Sequence, residues 1–179
     1  MKINEIVNES IVTDDDKSIE IKLDNLKASD AIKNAITEEF EQVLQDSMVL
    51  IYTEEQRNND VIAKSHEDDI NNKYQILETA KRAYKLFEYE DLKGIGELMY
   101  ESWLSKERIS PYISNSKIKV IIDDVMTMGA YGAKLLGSGG CGFICVLCNP
   151  KVKEKITEKY KSSILETKID KKGVTSIYE

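Results

Sequence analysis

The sequence predicts an α+β domain with a small, mostly antiparallel sheet covered on one face by helices. The first observation is the order of elements: a strand, several amphipathic helices, two adjacent strands, a helix and a last strand. The second is the glycine-rich connection between the two adjacent strands, which is typical of a chain reversal. The third is the composition of the 179 residues, 41% hydrophobic and 32% charged, which is that of an ordinary globular domain.

The N-terminal segment contains a predicted strand and a predicted helix. Residues 18–23 alternate with period two, as a half-buried strand does, after an aspartate turn at 14–16 that we interpret as solvated rather than as a metal site. Ser29 is a suitable cap for a helix that runs to about Leu44. The apolar stripe predicted for this helix is Ile32, Ile36, Phe40 and Val43.

The next segment predicts a buried strand at Met48–Tyr52 and then three helices. Residues 56–71 are polar and begin as a helix that carries Arg57. Residues 73–87 and 90–108 are each amphipathic, the first through Leu77, Ala80, Tyr84 and Phe87, and the second through Leu92, Ile95, Met99 and Trp103. We therefore interpret Trp103 mainly as a packing residue. Trp103 and Lys106 also lie near the end of the helix, where they could border a substrate cleft.

The C-terminal half predicts two more helices around the two adjacent strands, residues 130–136 and 142–148. Ser116 is a suitable cap for the first helix, whose inward residues are Ile118, Ile121 or Ile122, and Val125, and Gly129 occupies its C′ position. Asn149-Pro150 starts the second, with the stripe Val152, Ile156 and Tyr160. The last strand is placed either at 167–170 or at 173–178.

The charge and hydropathy of the chain argue against several classes of partner. A net charge of −7 disfavours a nucleic-acid backbone or an anionic membrane as the main partner. No segment has the roughly 20 apolar residues of a membrane span, and the N-terminus has no signal-peptide core. We therefore expect a cytoplasmic protein, and we interpret its single histidine, His66, as a surface residue.

The three cysteines are Cys141, Cys145 and Cys148, and the last two have the spacing of a redox or zinc motif. On a strand, residues three apart point to opposite faces, so Cys145 and Cys148 would not converge on one metal or on each other. The pattern favours reduced, buried cysteines that pack as small hydrophobic residues.

The glycine cluster Gly137-Ser138-Gly139-Gly140 has two interpretations. In the first, glycines supply the positive φ of a tight connection and no ligand is involved. In the second, their backbone N–H groups approach an anion closely because no Cβ intervenes. The spacing alone favours the first.

Three blocks of sequence resemble a known family. Residues 129–143, GAYGAKLLGSGGCGF, are similar to the C-terminal glycine motif of the GHMP kinases, the superfamily of galactose, homoserine, mevalonate and phosphomevalonate kinases. Within it, the D-glycero-D-manno-heptose 7-phosphate kinase group is the most similar. Ile95-Gly96-Glu97-Leu98 with Glu101-Ser102-Trp103 and Lys106 resembles the helix before that motif, and Leu50-Ile51-Tyr52-Thr53 with Arg57 resembles its strand end.

The resemblance implies a ferredoxin-like C-terminal domain over residues 46–179, preceded at 1–45 by a remnant of the N-terminal domain and a linking helix. It implies ATP and Mg²⁺ as cofactors and a small sugar phosphate as substrate. Nucleotide or substrate phosphates would meet Gly137, Ser138, Gly139 and Gly140. The substrate-binding candidates are Arg57, Lys134 and Trp103.

Two features of the family are missing from this sequence. No stretch matches the phosphate loop of the type P-x-x-x-G-L-G-S-S-A, and the catalytic aspartate and magnesium ligands of the family also belong to the N-terminal domain. The sequence also departs from the family pattern at two positions. Glu54 stands where the heptose kinase group has glycine, and its carboxylate would repel a nearby phosphate. Cys141 replaces a glycine of the loop, and its side chain fits there only if its φ is negative. The resemblance therefore implies an engineered fragment, a truncated reading frame or half of a split enzyme.

Two functions remain open at this point. In the first, the chain is the C-terminal part of an ATP-dependent sugar-phosphate kinase. It would be inactive alone and would pair with the missing N-terminal domain or with further copies of itself. In the second, the chain is a non-catalytic binding module or a degenerate kinase fragment. Phosphoryl transfer depends on positioning and charge neutralisation, so a chain without the phosphate loop and metal ligands has no catalytic residues of its own.

Overall fold

The computed structural model describes residues 36–53, 70–108, 113–137 and 139–169, with the backbone alone for 70–77. These residues form a four-stranded antiparallel sheet and five α-helices, which confirms the predicted fold class. In chain order the elements are α1 (Glu38–Ser47), β1 (Met48–Tyr52), α2 (Ile70–Glu88), α3 (Leu92–Glu107), α4 (Ser116–Thr127), β2 (Gly132–Leu135), β3 (Phe143–Leu147), α5 (Pro150–Lys159), a 3₁₀ turn (Lys161–Ser163) and β4 (Ile164–Leu165).

The strand order is β2-β3-β1-β4, and every pair of neighbours is antiparallel. β1 is central: it pairs with β3 from Met48 opposite Leu147 to Tyr52 opposite Phe143, and with β4 on its other side. Among the described residues, the one tight connection is between β2 and β3, and the segments between the other consecutive strands contain helices. This is the ferredoxin-like arrangement that the family resemblance implied.

The main core lies on one face of the sheet. Alternate strand residues point into it and meet the inward residues of α4 and α5 together with Trp103 of α3. The strand residues are Val49, Ile51, Ala133, Leu135, Ile144 and Val146, and the helix residues include Ile118, Ile121, Ile122, Val125, Val152 and Ile156. The predicted inward faces of α4 and α5 are thus confirmed.

A second cluster shows that helices contact both faces of the sheet, where the sequence predicted one. Leu147 points away from Val146 on the same strand and packs with Phe40 of α1 and Ile95 of α3. The physical reason is that α1 leads directly into β1 and turns its Phe40 toward Leu147, while the backbone of α3 closely approaches that of β2.

The first described helix begins later than predicted. Thr37, not Ser29, caps it: the Thr37 hydroxyl accepts the Phe40 N–H at 3.2 Å and donates to the Glu90 carboxylate at 2.6 Å. The helix then continues to Ser47 rather than ending near Leu44. Val43 is 46% exposed, so its place in the predicted apolar stripe was wrong, and Leu44 packs in its place. Ile36 and Phe40 pack as predicted.

The boundaries of α4 and α5 agree with the sequence to within one residue. Asn115 rather than Ser116 caps α4 by accepting the Ile118 N–H at 2.9 Å. Gly129, with φ of 100°, ends α4 as predicted, because its N–H and that of the next residue donate to carbonyls of the last turn. Asn149 caps α5 before Pro150, also as predicted.

The last strand lies earlier in the chain than predicted. β4 is Ile164–Leu165, so the strand predicted at 167–170 was wrong, since residues 167–169 are described and are not in a strand. Ala80 of α2 is exposed rather than packed. The features predicted at 14–16, 18–23, Ser29, Ile32, the start of the 56–71 helix, His66 and 173–178 lie outside the described residues. Within the described part of the chain, no helix is long and apolar enough to cross a membrane.

Candidate functional site

Two glycines fix the position of α3 against the edge strand β2. A Cβ added to Gly96 would lie 2.5 Å from the Cβ of Tyr131, and a Cβ added to Gly132 would overlap the carbonyl group of Gly96. The helix backbone therefore approaches the strand backbone more closely than any side chain would allow. This contact sets the helix residues that follow Gly96 beside the end of β2, where the glycine loop begins.

The glycine loop connects β2 to β3. Its glycines at 137, 139, 140 and 142 all have positive φ, between 74° and 123°, which favours glycine strongly over residues with a Cβ. Cys141 has no positive φ, because Glu90 is the one non-glycine residue with positive φ in the described chain. The expected tolerance of Cys141 in the loop is thus confirmed. Ser138 lies outside the described residues.

Two backbone donors of this loop are already used inside the protein. The Gly140 N–H donates to the Ile113 carbonyl at 2.9 Å, and the Gly142 N–H donates to the hydroxyl of the buried Thr53 at 3.0 Å. The Thr53 N–H returns a bond to the Gly142 carbonyl at 2.9 Å. The role of Gly140 toward a phosphate stays a prediction; in this arrangement its N–H is bonded to the Ile113 carbonyl.

The loop is also held by the segment before α4. Asn115 caps α4 through its side-chain oxygen and donates its amide nitrogen to the Gly140 carbonyl at 3.3 Å. A Cβ at the buried Gly139 would come within 3.0 Å of the Ile113 Cα. Gly137 differs, since it is exposed and its Cβ position is open. The first part of the loop therefore faces outward, while the rest packs on Ile113 and Asn115.

Two lysines flank the outward part of the loop. Lys134 of β2 donates to the Ser102 hydroxyl of α3 at 2.8 Å. Lys106, one helical turn after Ser102, donates to the carbonyl of Gly137. The close contact of Gly96 with Gly132 allows this meeting, because it brings α3 within reach of a side chain on β2.

The electrostatic environment of both lysines disfavours their charge. Burial lowers the pKa of Lys134. Burial, and after it repulsion from Lys134, lowers the pKa of Lys106. In the described part of the chain neither ammonium has a carboxylate within 4 Å, whereas Lys81, Lys93, Lys119 and Lys159 each have one.

The predicted site residues are thus only partly brought together. Lys134, Gly137, Gly139 and Gly140 lie at the loop, and Arg57, Ser138 and Glu54 lie outside the described residues. Trp103 is 2% exposed within the main core, which confirms its packing role; its role toward a substrate stays a prediction. Sequence reasoning did not identify Thr53 and Asn115 as loop-holding residues, since their partners are 89 and 25 residues away.

Two buried cysteines lie on β3 and directly after it. Cys145 and Cys148 are buried as predicted, and burial raises the pKa of each thiol to about 11. At neutral pH both are protonated thiols, which are poor nucleophiles and poor metal ligands. Among the described residues, no group of three His, Cys, Asp or Glu side chains is placed to hold a metal ion.

The comparisons with known proteins agree with this fold. The family model described as GHMP kinases C terminal matches residues 79–164, which include α3, α4, the glycine loop and α5. The described domain has the fold of a GHMP kinase C-terminal domain. The solved structures that share this fold span much longer chains.

Three of these structures illustrate the likeness. The Lin0012 protein from Listeria innocua superimposes with a TM-score of 0.57 at 17% identity, over 66% of this chain and 38% of that one. The L. major mevalonate kinase in complex with R-mevalonate gives 0.51 at 21% identity, over 64% and 37%. The Methanococcus jannaschii mevalonate kinase gives 0.51 at 22% identity, over 73% and 41%. This chain thus spans about two fifths of the length of the structures it resembles.

A second family model matches the N-terminal part of the chain. Residues 1–53 match the model described as bacteriophage T4-like portal protein (Gp20). This is the segment in which the sequence predicted a remnant of an N-terminal kinase domain at 1–45, and that assignment stays a prediction. No curated protein matches the chain significantly.

Proposed function

We propose that this chain is the C-terminal portion of an ATP-dependent sugar-phosphate kinase of the GHMP superfamily. The observation that carries the proposal is the outward start of the glycine loop, flanked by Lys134 and Lys106, on a fold of the GHMP kinase C-terminal type. In this role the domain supplies one wall of the active site. Its domains would be residues 1–45, a remnant of the preceding domain, and 46–179, the kinase C-terminal domain.

The proposed chemistry divides between two domains. Phosphoryl transfer is catalysed mainly by positioning and by neutralising charge on the phosphoryl oxygens. Here Lys134 and Lys106 contribute positive charge and Gly137 leaves room for a ligand against the loop. The proposed cofactors are ATP and Mg²⁺. They would be bound mainly by the N-terminal kinase domain, which would supply the phosphate loop, the catalytic base and the metal ligands.

The substrate in this proposal is a heptose phosphate. Its support is the sequence resemblance of residues 129–143, 95–106 and 50–57 to the heptose 7-phosphate kinase group. Arg57, Trp103 and Lys134 remain the proposed substrate-side residues. The proposed compartment is the cytoplasm.

A second candidate is a non-catalytic binding module. The observation that favours it is the internal bonding of the Gly140 and Gly142 N–H groups, which makes the inner part of the loop a structural turn. The same purified chain distinguishes the two functions when it is assayed alone and with an added N-terminal GHMP kinase domain.

The test is turnover of ATP with heptose 7-phosphate, with the product identified by mass. The proposal expects no product above the enzyme-free control for the chain alone, and product when an N-terminal domain is supplied in trans or fused in frame. Turnover by the chain alone would contradict the proposed division of the chemistry between two domains. No turnover with any N-terminal domain that binds the chain would favour the binding module.

A further inference from the structure

Two ammonium groups from different elements converge on the start of the glycine loop. Lys134 reaches Ser102 from β2, and Lys106 reaches the Gly137 carbonyl from α3. Ser102 and Lys106 are four residues apart and therefore lie on the same side of the helix. Repulsion from Lys134 contributes to the lowered pKa of Lys106, and among the described residues no carboxylate forms an ion pair with either lysine.

This arrangement disfavours the charged form of both lysines as long as no anion is near them. A partly buried cation loses hydration, which lowers the pKa of Lys134 and of Lys106, and repulsion from Lys134 lowers the pKa of Lys106 further. The lysines with carboxylate partners lie on the surface of the helices, whereas these two are half-buried and have none among the described residues. A site of this kind fits a ligand that carries the missing negative charge.

The donors that remain fit a phosphoryl group. An ammonium has three N–H donors, and the described contacts use one on Lys134 and one on Lys106. Two donors on each nitrogen are therefore left, together with two positive charges. A phosphate monoester carries a charge of about −1.5 to −2 at neutral pH and presents three acceptor oxygens, which match this set better than a single carboxylate does.

We propose that Lys106 and Lys134 together form a binding site for a phosphoryl group at the outer end of the glycine loop. This deepens the proposed function by adding Lys106 to the ligand-facing residues. It needs neither an N-terminal domain nor turnover, so it can fail or succeed independently of kinase activity. The phosphoryl group is carried by a sugar phosphate or by a nucleotide, and both present the same chemistry to the two lysines.

A purely structural role for the lysines predicts a different response to mutation. If Lys106 only holds the loop through Gly137, Lys106→Met lowers the melting temperature in low salt without phosphate. If the pair awaits an anion, the same change removes an uncompensated cation and leaves the melting temperature unchanged or higher. Lys155, which is exposed on α5, provides a matched charge control as Lys155→Met.

The experiment is a titration of the full chain with inorganic phosphate at constant ionic strength, followed by NMR at the Gly137 and Gly139 amides. We expect saturable shifts, at least about tenfold weaker affinity in Lys106→Met and in Lys134→Met, and no change in Lys155→Met. Shifts that do not saturate, or that persist equally in both site variants, would overturn the proposal.

Two further titrations complete the test. If a methionine variant does not fold, the wild-type chain is titrated with chloride at the same ionic strength; a response equal to that with phosphate overturns the proposal, and a smaller one supports it. Glucose 6-phosphate and ADP are then compared. Tighter binding of either supports the site and identifies the carrier, whereas binding of both more weakly than chloride overturns it.

Discussion

At the scale of single residues, Thr53 is the point where β1 holds the glycine loop. It is fully buried, its hydroxyl accepts the Gly142 N–H at 3.0 Å, and its own N–H donates to the Gly142 carbonyl. A valine has the same shape but no acceptor, and a buried N–H without a partner costs about 1–3 kcal/mol. Thr53 therefore fixes the inner end of the loop.

We expect Thr53→Val to lower the free energy of unfolding by about 1–3 kcal/mol, measured by urea denaturation. Thr53→Ser keeps the hydroxyl and should recover most of the loss. The control is Thr127→Val, whose hydroxyl bonds an exposed helix carbonyl and whose replacement should change stability little. Equal effects of Thr53→Val and Thr127→Val would show that the Gly142 contact contributes nothing.

Residue identities predicted the loop glycines but not their individual roles. The sequence indicated that residues 137–140 lie between two strands, and all the described glycines of the loop have positive φ. Which N–H groups are free depends on Ile113 and Thr53, which lie far away in sequence, so no local pattern contains that information. Lys106 was noted beside Trp103, but its proximity to Lys134 depends on the packing of α3 against β2.

At the scale of elements, the packing of α3 on β2 depends on Gly96 and Gly132. Because a Cβ on Gly132 would overlap the Gly96 carbonyl, Gly132→Ala must move the helix away from the strand. We expect it to lower the free energy of unfolding by about 3 kcal/mol, the upper end of the usual cost of overpacking, because backbone atoms must move.

Gly137→Ala is the control for that change. Its φ is positive, but an added Cβ would meet no atom within 4 Å. Only the backbone strain of an alanine at positive φ should therefore lower the free energy of unfolding, by about 1 kcal/mol. Denaturation curves of the two variants under the same conditions measure the difference. If Gly132→Ala costs no more than Gly137→Ala, the close approach of helix and strand is not required.

The elements themselves were predictable where periodicity was strong. β1, α3, α4 and α5 followed directly from apolar spacing. The caps of α4 and α5 were placed within one residue because neighbouring Asn and Ser residues can both serve as caps. β4 was misplaced because a two-residue strand carries no alternation and exists only through its pairing with β1. The start of α1 was misplaced because Thr37 is fixed by Glu90, a residue 53 positions away.

At the scale of the whole molecule, one sheet face presents apolar side chains to the surface. Leu165 of β4 is 47% exposed and lies opposite Leu50 of β1. Tyr52, two residues after Leu50 on β1, points to the same face of the sheet as Leu50 and is 44% exposed. An exposed apolar surface of this kind favours association with another domain or another copy. It is consistent with the proposed partnership of the chain.

We expect the purified chain to self-associate at high concentration. Analytical ultracentrifugation should show an apparent mass above 20.4 kDa that rises with concentration. Leu165→Ser should reduce the association, while Thr167→Ser, a change of one methyl group nearby, should not. A monomer of unchanged mass across the whole concentration range would contradict this prediction.

In the proposed function, the glycine loop and its two lysines form part of a kinase active site. The most direct measurement is kcat/KM for ATP-dependent phosphorylation of heptose 7-phosphate after an N-terminal GHMP kinase domain is supplied. We expect Lys134→Met to lower kcat/KM at least about tenfold, which is about 1.4 kcal/mol of transition-state stabilisation, and Lys155→Met to leave it unchanged. Equal kcat/KM for wild type, Lys134→Met and Lys155→Met would contradict the claim.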